Sequence, residues 1–85
     1  MFQTTGTKMK IEIYTKPSCP FCVNAKNLIQ SKGFDFTEYT LGENGITKQT
    51  IIDRLNGKVI STVPQIFIDD EHIGGYTDLV AHWNN

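Results

Sequence analysis

The chain has 85 residues, of which 39% are apolar and 20% are charged, and its net charge at pH 7 is −1. This length predicts one small globular domain that buries roughly 60–65% of its unfolded-chain surface, with no room for a second domain. The near-neutral charge gives no basic surface for nucleic acid, and no apolar run approaches the ~20 residues of a membrane span. We therefore expect neither nucleic acid nor a membrane as a partner.

The first residues of the chain, 1–8, are polar and aperiodic. We interpret them as a frayed tail that precedes a domain spanning residues 9–85. Residues 1–10 lack the apolar segment of a secretory signal. A dithiol that is used and not stored as a disulfide is typical of a reducing compartment, so we expect a cytoplasmic protein.

The only two cysteines form a C-P-F-C segment at residues 19–22. Before it, residues 10–15 alternate polar and apolar side chains, which predicts a strand. After it, Pro20 favours the first position of a helix, because its missing N–H would be unpaired there anyway. Cys19 is therefore the predicted N-cap of this helix, and Gly33 its predicted end.

An N-cap position would make Cys19 reactive. The orphan N–H groups and the positive end of the helix dipole would point near its sulfur, and Lys16 could add a second positive charge. A decrease of the thiol pKa from ~8.5 to ~6 would leave mostly thiolate at neutral pH. Cys22 lies one turn deeper on the same face. We predict Cys19 as the nucleophile and Cys22 as the resolving thiol.

Two other interpretations of the cysteine pair compete with redox chemistry. A zinc site would need two more ligands, and nine residues separate His72 from His82 instead of the usual three to five. A structural disulfide that closes so short a loop would remove little entropy from the unfolded state. Redox chemistry fits best, because C-x-x-C beside a strand and a helix is a thioredoxin-like signature.

Two further elements are predicted in the middle of the chain. Residues 34–41 alternate aromatic and polar side chains, which predicts a second strand. After a turn cluster, residues 47–55 predict a helix, on which Lys48, Gln49 and Arg54 are expected to form a solvated face.

A hairpin is predicted next, with a third strand at residues 65–69, a tight turn at 70–71 and a short fourth strand beginning at 72–73. Pro64 cannot donate to a strand ladder, so it should mark the start of the third strand. Base rates favour a trans bond before it, whereas a cis bond would leave the backbone groups of Val63 free for a ligand.

The last helix is predicted from Thr77, as N-cap, to Trp83. Backbone N–H groups near Thr77 and Asp78 could bind a carboxylate or serve in simple capping. The order β-α-β-α-β-β-α predicts an α/β sandwich, in which helices cover both faces of a four-stranded mixed sheet.

Three separated segments closely resemble the dithiol glutaredoxins. They are the cysteine segment at 13–22, the T-V-P-Q-I-F-I run at 62–68 and the G-G-Y-T-D-L run at 74–79. The resemblance extends over about residues 9–83. It implies a thioredoxin-like three-layer sandwich, a cis bond before Pro64, and glutathione-dependent reduction of disulfides.

The resemblance also implies a groove for glutathione as co-substrate. We expect no metal. Cys19 would form a mixed disulfide with glutathione, Phe21 would stand beside it, and Val63 would pair backbone to backbone with the cysteine of the tripeptide. Tyr76 departs from the small residue usual at its position. The residues implied to contact glutathione are Lys16, Phe21, Lys48, Gln49, Thr62, Val63, Pro64, Gly75, Thr77 and Asp78.

At the two ends of glutathione, the resemblance assigns Thr77 and Asp78 to the γ-glutamyl group. Lys16, with Lys48 or Gln49, would face the glycine carboxylate. The implied partners are glutathione and disulfide-containing or glutathionylated proteins, with ribonucleotide reductase as one candidate, and we expect a monomer.

Two rival functions stay open. One is a thioredoxin-type electron donor fed by a flavoprotein reductase, and the other is an iron-sulfur carrier in which Cys19 and glutathione from two chains hold a cluster. Pro20 and Phe21, in place of Gly-Pro between the cysteines, and the anion-binding corner at 74–78 favour the glutathione-dependent enzyme.

Overall fold

The computed structural model describes residues 9–60 and 62–84, so the tail expected at 1–8 lies outside the described residues. The predicted order of strands and helices is confirmed. The elements are β1 (Ile11–Thr15), α1 (Pro20–Ser31), β2 (Thr37–Thr40), α2 (Lys48–Arg54), β3 (Gln65–Ile68), β4 (Glu71–Gly74) and α3 (Tyr76–Asn84).

The four strands form one mixed sheet in the order β2-β1-β3-β4. β1 runs parallel to β2 and antiparallel to β3, and β4 runs antiparallel to β3. All five residues of β1 are buried, as expected for a strand with a neighbour on each side. Because α1 connects β1 to its parallel neighbour, the helix start and Cys19 lie just beyond the carboxyl end of β1.

Side chains of the sheet alternate between two hydrophobic cores, one on each face. The core under α1 and α3 contains Ile11, Ile13, Ala25, Ile29, Ile66, Ile68 and Leu79. The core under α2 contains Tyr14, Ile51, Ile60 and Phe67. Each fully buried Ile or Leu contributes about 1.5–3 kcal/mol. Helices therefore cover both faces, and the three-layer sandwich is confirmed.

Two strand boundaries differ from the prediction. The second strand is shorter than residues 34–41, because β1 offers pairing partners only from Glu12 onward, in register with Thr37. The hairpin turn lies one residue earlier than predicted, at Asp69 and Asp70, which both adopt positive φ of 51° and 69°. Such φ values suit a two-residue hairpin turn, and β4 consequently begins at Glu71.

The first two helices agree closely with the prediction. Lys32 is the C-cap of α1 and Gly33 follows it with a φ of 84°. α2 has Thr47 as its N-cap and Leu55 as its C-cap. The N-cap Thr47 fixes the start of α2, on which Lys48 is the first helical residue.

Candidate active site

A tight connection between β1 and α1 places Cys19 at the helix start. Ser18 has a left-handed backbone conformation with φ of 59°, and Pro20 opens the helix. Cys19 is the N-cap, as predicted, and its Sγ accepts a hydrogen bond from the backbone N–H of Cys22 at 3.2 Å. The fold thus directs an N–H group of the first helical turn at this sulfur.

The two cysteines form a disulfide bond, with their Cα atoms 5.2 Å apart. Cys22 is 2% exposed and Cys19 is 6% exposed. Both residues are buried, and the difference is small, but Cys19 is the more open of the two to an external sulfur. This order of access suits an exchange that starts at Cys19 and is completed by Cys22.

The loop before β3 forms a wall beside the disulfide. The carbonyl oxygen of Val63 lies 3.8 Å from Cys19 Sγ. The peptide bond between Val63 and Pro64 is cis, which confirms the expectation drawn from the resemblance. Pro64 is buried and Val63 is half-buried, so this wall is anchored at β3 and reaches the surface next to the sulfur.

A cavity of about 330 Å³ opens between this loop and the start of α3. Seven of the residues predicted to contact glutathione line it, although they come from three distant segments of the chain. The lining residues are Phe21, Thr62, Val63, Pro64, Gly75, Tyr76, Thr77 and Asp78.

A smaller cavity of about 130 Å³ lies on the other side of the same wall. It brings together Lys16, which precedes α1, and Lys48, which begins α2. Its lining consists of Lys16, Leu41, Lys48, Ile60, Thr62 and Val63. Thr62 and Val63 therefore line both cavities. On one side of them lies the cavity with the two lysines, and on the other side lies the cavity at the start of α3.

Two aromatic rings stand at the rim of the larger cavity. Phe21 is 59% exposed, and its ring centroid lies 6.2 Å from that of Tyr76. Tyr76, which departs from the small residue usual in the family, thus adds a second aromatic ring to the lining, beside that of Phe21.

Gln49 lies apart from both cavities. Its amide donates a hydrogen bond of 2.8 Å to Asp53 one turn further along the exposed face of α2. Of the two residues of α2 predicted to face a carboxylate, Lys48 lines the smaller of these two cavities and Gln49 lines neither.

The prediction that Thr77 is the N-cap of the last helix is wrong. α3 already begins at Tyr76, so the position before the helix is Gly75, two residues earlier than the predicted N-cap. Gly75 has no side chain for capping. Instead Asp78 Oδ2 accepts a hydrogen bond from the Gly75 N–H at 2.9 Å, reaching back from the first turn.

The prediction that Arg54 belongs to a solvated face of α2 is also wrong. Its guanidinium donates to Glu12 Oε1 at 2.6 Å and to the Tyr14 hydroxyl at 3.2 Å, and it lies 3.9 Å from the centre of the Phe67 ring. The hydrogen bond between Arg54 and Glu12 lowers the pKa of the Glu12 carboxyl below its ordinary value. The same hydrogen bond raises the pKa of the Arg54 guanidinium. These contacts fasten α2, and with it Lys48, to the sheet.

The arrangement of the site agrees with the comparisons with known proteins. Residues 11–73 match the family model for glutaredoxin. The chain belongs to the glutaredoxin family. Glutaredoxin 3 of Escherichia coli is 49% identical over 71 residues, which are 84% of this chain and 82% of the relative. A probable glutaredoxin of Synechocystis is 47% identical over 72 residues, covering 85% and 80%.

A solved structure gives the same family and the same fold. The crystal structure of glutaredoxin 1 from Francisella tularensis, complexed with cacodylate, is similar with a TM-score of 0.75 and 42% identity. The match covers 89% of this chain and 93% of that one. With its redox-active cysteine pair, this glutaredoxin is a thiol-disulfide oxidoreductase.

Two further observations concern metal ligands and membrane-spanning helices in the described part of the chain. Among residues 9–60 and 62–84, no group of three His, Cys, Asp or Glu side chains could bind a metal ion together. Over the same residues, every helix is too short or too polar to cross a membrane.

Proposed function

We propose that this glutaredoxin depends on glutathione and reduces protein disulfides and glutathione mixed disulfides through Cys19. One observation carries the proposal. The two cavities meet at the wall of Thr62 and Val63, and the Val63 carbonyl lies 3.8 Å from Cys19 Sγ. A tripeptide thiol bound along this wall would extend into both cavities with its sulfur beside Cys19.

The charges at the two ends of the groove complement those of glutathione. Lys16 and Lys48 offer ammonium groups to the glycine carboxylate. At the other end, the N-terminus of α3 favours a carboxylate, and Asp78 favours the α-ammonium of the γ-glutamyl group. Between them, the backbone of Val63 would pair with the cysteine of the tripeptide.

The exchange begins with the Cys19 thiolate. It attacks the glutathione sulfur of a mixed disulfide, so that a Cys19–glutathione disulfide forms and the substrate leaves as a thiolate. A second glutathione thiolate then attacks this disulfide and releases oxidised glutathione with Cys19 reduced. With a protein disulfide, Cys22 displaces the substrate thiol from Cys19, and two glutathione molecules reduce the resulting Cys19–Cys22 disulfide.

The proposal includes the setting in which the enzyme works. Exchange with glutathione in this direction requires a reducing compartment, for which we propose the cytoplasm. The proposed acceptors are disulfide-containing or glutathionylated proteins, with ribonucleotide reductase as one candidate, and the enzyme would act as a monomer.

Glutathione-coupled reduction of a small glutathione mixed disulfide tests the proposal in three proteins: wild type, Cys19→Ser and Cys22→Ser. We expect Cys19→Ser to be inactive because it lacks the nucleophile. Cys22→Ser should remain active, because glutathione can resolve the mixed disulfide without the second thiol.

The control variant Cys22→Ser differs from Cys19→Ser only in which sulfur is removed. An inactive wild type would refute glutathione dependence and favour a thioredoxin-type donor. Visible cluster absorbance in wild type purified without oxygen would favour the iron-sulfur carrier. If Cys19→Ser keeps its activity, Cys19 is not the nucleophile.

A further inference from the structure

Gln65, the first residue of β3, is a polar side chain buried next to the active-site wall. It is 7% exposed and directly follows Pro64. A buried amide is costly unless its polar atoms are hydrogen-bonded. Its Nε2 donates to the Thr62 carbonyl at 2.9 Å, and its Oε1 lies 2.7 Å from Nε2 of His72. Both ends of the amide are therefore engaged.

These contacts fix the direction of each hydrogen bond. The Thr62 carbonyl can only accept, so Gln65 must present its NH₂ group to Thr62 and its oxygen to His72. His72 Nε2 therefore carries the proton and donates. Burial, followed by the charge of Lys58, lowers the pKa of His72, against a smaller opposite effect of Asp78. A neutral ring with its proton on Nε2 satisfies this geometry.

His72 is itself held in place by the sheet. It pairs with Phe67 across the β3–β4 hairpin, and the two ring centroids are 5.1 Å apart. The series His72–Gln65–Thr62 thus connects β4 to the loop before β3. The residue at its end, Thr62, lines both cavities together with Val63.

We propose that Gln65 and His72 are positioning residues, which hold the Thr62 carbonyl against the sheet and so fix the wall along which the substrate binds. Neither side chain lines either cavity, so they act through Thr62 and Val63. This inference rests on the proposed function, because the substrate in question is a glutathione mixed disulfide.

The test compares variants that differ in one hydrogen-bond donor. His72→Phe keeps a ring against Phe67 but removes the donor, whereas His72→Gln supplies an amide N–H at a similar distance. Gln65→Leu removes both bonds of the buried amide. We expect His72→Phe and Gln65→Leu to raise KM for the glutathione mixed disulfide about 3- to 10-fold, with kcat within about 2-fold. His72→Gln should restore most of the wild-type KM.

A purely structural role would give a different pattern. It would lower the denaturation midpoint of the variants while KM stayed at the wild-type value, and that outcome would overturn the proposal. Equal KM values for His72→Phe and His72→Gln, both raised, would also overturn it, because the donor would then not matter.

A second measurement needs no glutathione and separates this inference from the proposed function. In the reduced protein, we expect the carbonyl ¹³C shift of Thr62 and the amide shift of Val63 to move in His72→Phe and Gln65→Leu, and to return in His72→Gln. If wild type shows no glutathione activity but these shifts move, the proposed function fails and the positioning role stands. Shifts that stay unchanged in both variants would refute it.

Discussion

Gly74 supports the α3 end of the groove, and replacing it should disturb both stability and the position of Asp78. A Cβ added at Gly74 would lie 2.8 Å from Cγ and 3.0 Å from Cβ of Asp78, well inside carbon–carbon contact distance. The φ of 120° at Gly74 costs a non-glycine residue about 1–3 kcal/mol. Displacing Asp78 would also lose its hydrogen bond to Gly75, worth about 1 kcal/mol. We expect Gly74→Ala to lower the free energy of unfolding by about 2–4 kcal/mol.

The neighbouring glycine provides the matched control. A Cβ at Gly75 would lie 3.5 Å from the Pro64 carbonyl oxygen and 3.9 Å from Asp78 Oδ2, which is ordinary van der Waals contact. Gly75→Ala should therefore cost less than about 1 kcal/mol. Urea denaturation of both reduced variants, at unchanged m-value, measures the difference. Equal destabilisation by the two substitutions would refute this reasoning.

Three further predictions concern charges. Asp78→Asn keeps an oxygen for the α3 N-terminus but removes the charge, so KM for a glutathione mixed disulfide should rise about 5-fold while stability changes by less than about 0.5 kcal/mol. Lys48→Met should raise the same KM about 3- to 10-fold at low salt and less at high salt, whereas Gln49→Ala should leave it unchanged. Arg54 lowers the pKa of Glu12 below 4.5, so the stability contributed by the Glu12 carboxylate is complete above pH 4.5 and is lost as the pH falls through its folded-state pKa. Glu12→Gln should therefore unfold more easily at pH 7 and show a shallower loss of stability below pH 4.5 in thermal denaturation followed by circular dichroism.

Each of these has an outcome that contradicts it. A wild-type KM in Asp78→Asn would show that the charge of Asp78 does not bind the substrate. If Gln49→Ala raises this KM more than Lys48→Met does, then Gln49, and not Lys48, contacts the carboxylate. If Glu12→Gln loses stability below pH 4.5 as steeply as wild type does, protonation of Glu12 is not the cause of that loss.

Local sequence rules predicted the part of the site that lies within one connection. Pro20 after Cys19 was sufficient to predict the N-cap, because helix starts are determined by the few residues around them. The order of elements, and the end of α1 just before Gly33, followed from periodicity and turn residues for the same reason. The groove as a whole came from the resemblance, since residues as distant as Lys16 and Thr77 share no local pattern.

Contacts between distant segments were missed. Arg54 has the sequence context of a surface residue, but its partner Glu12 lies on β1, and no periodicity joins the two. Gln65 was interpreted as a strand residue, and His72 as a strand residue that could not complete a zinc site, although their side chains meet across a hairpin. The start of α3 was misplaced because the hydrogen bond to the Gly75 N–H comes from Asp78 inside the helix.

Trapping of the glutathione intermediate tests the central claim most directly. Reduced Cys22→Ser and Cys19→Ser would each be incubated with oxidised glutathione and measured by intact-protein and peptide mass spectrometry over time. We predict that Cys22→Ser rapidly gains one glutathionyl group on Cys19, and that Cys19→Ser gains none on the enclosed Cys22 over the same period. Modification of Cys22 at an equal or higher rate would contradict the assignment of Cys19 as the residue that exchanges with glutathione.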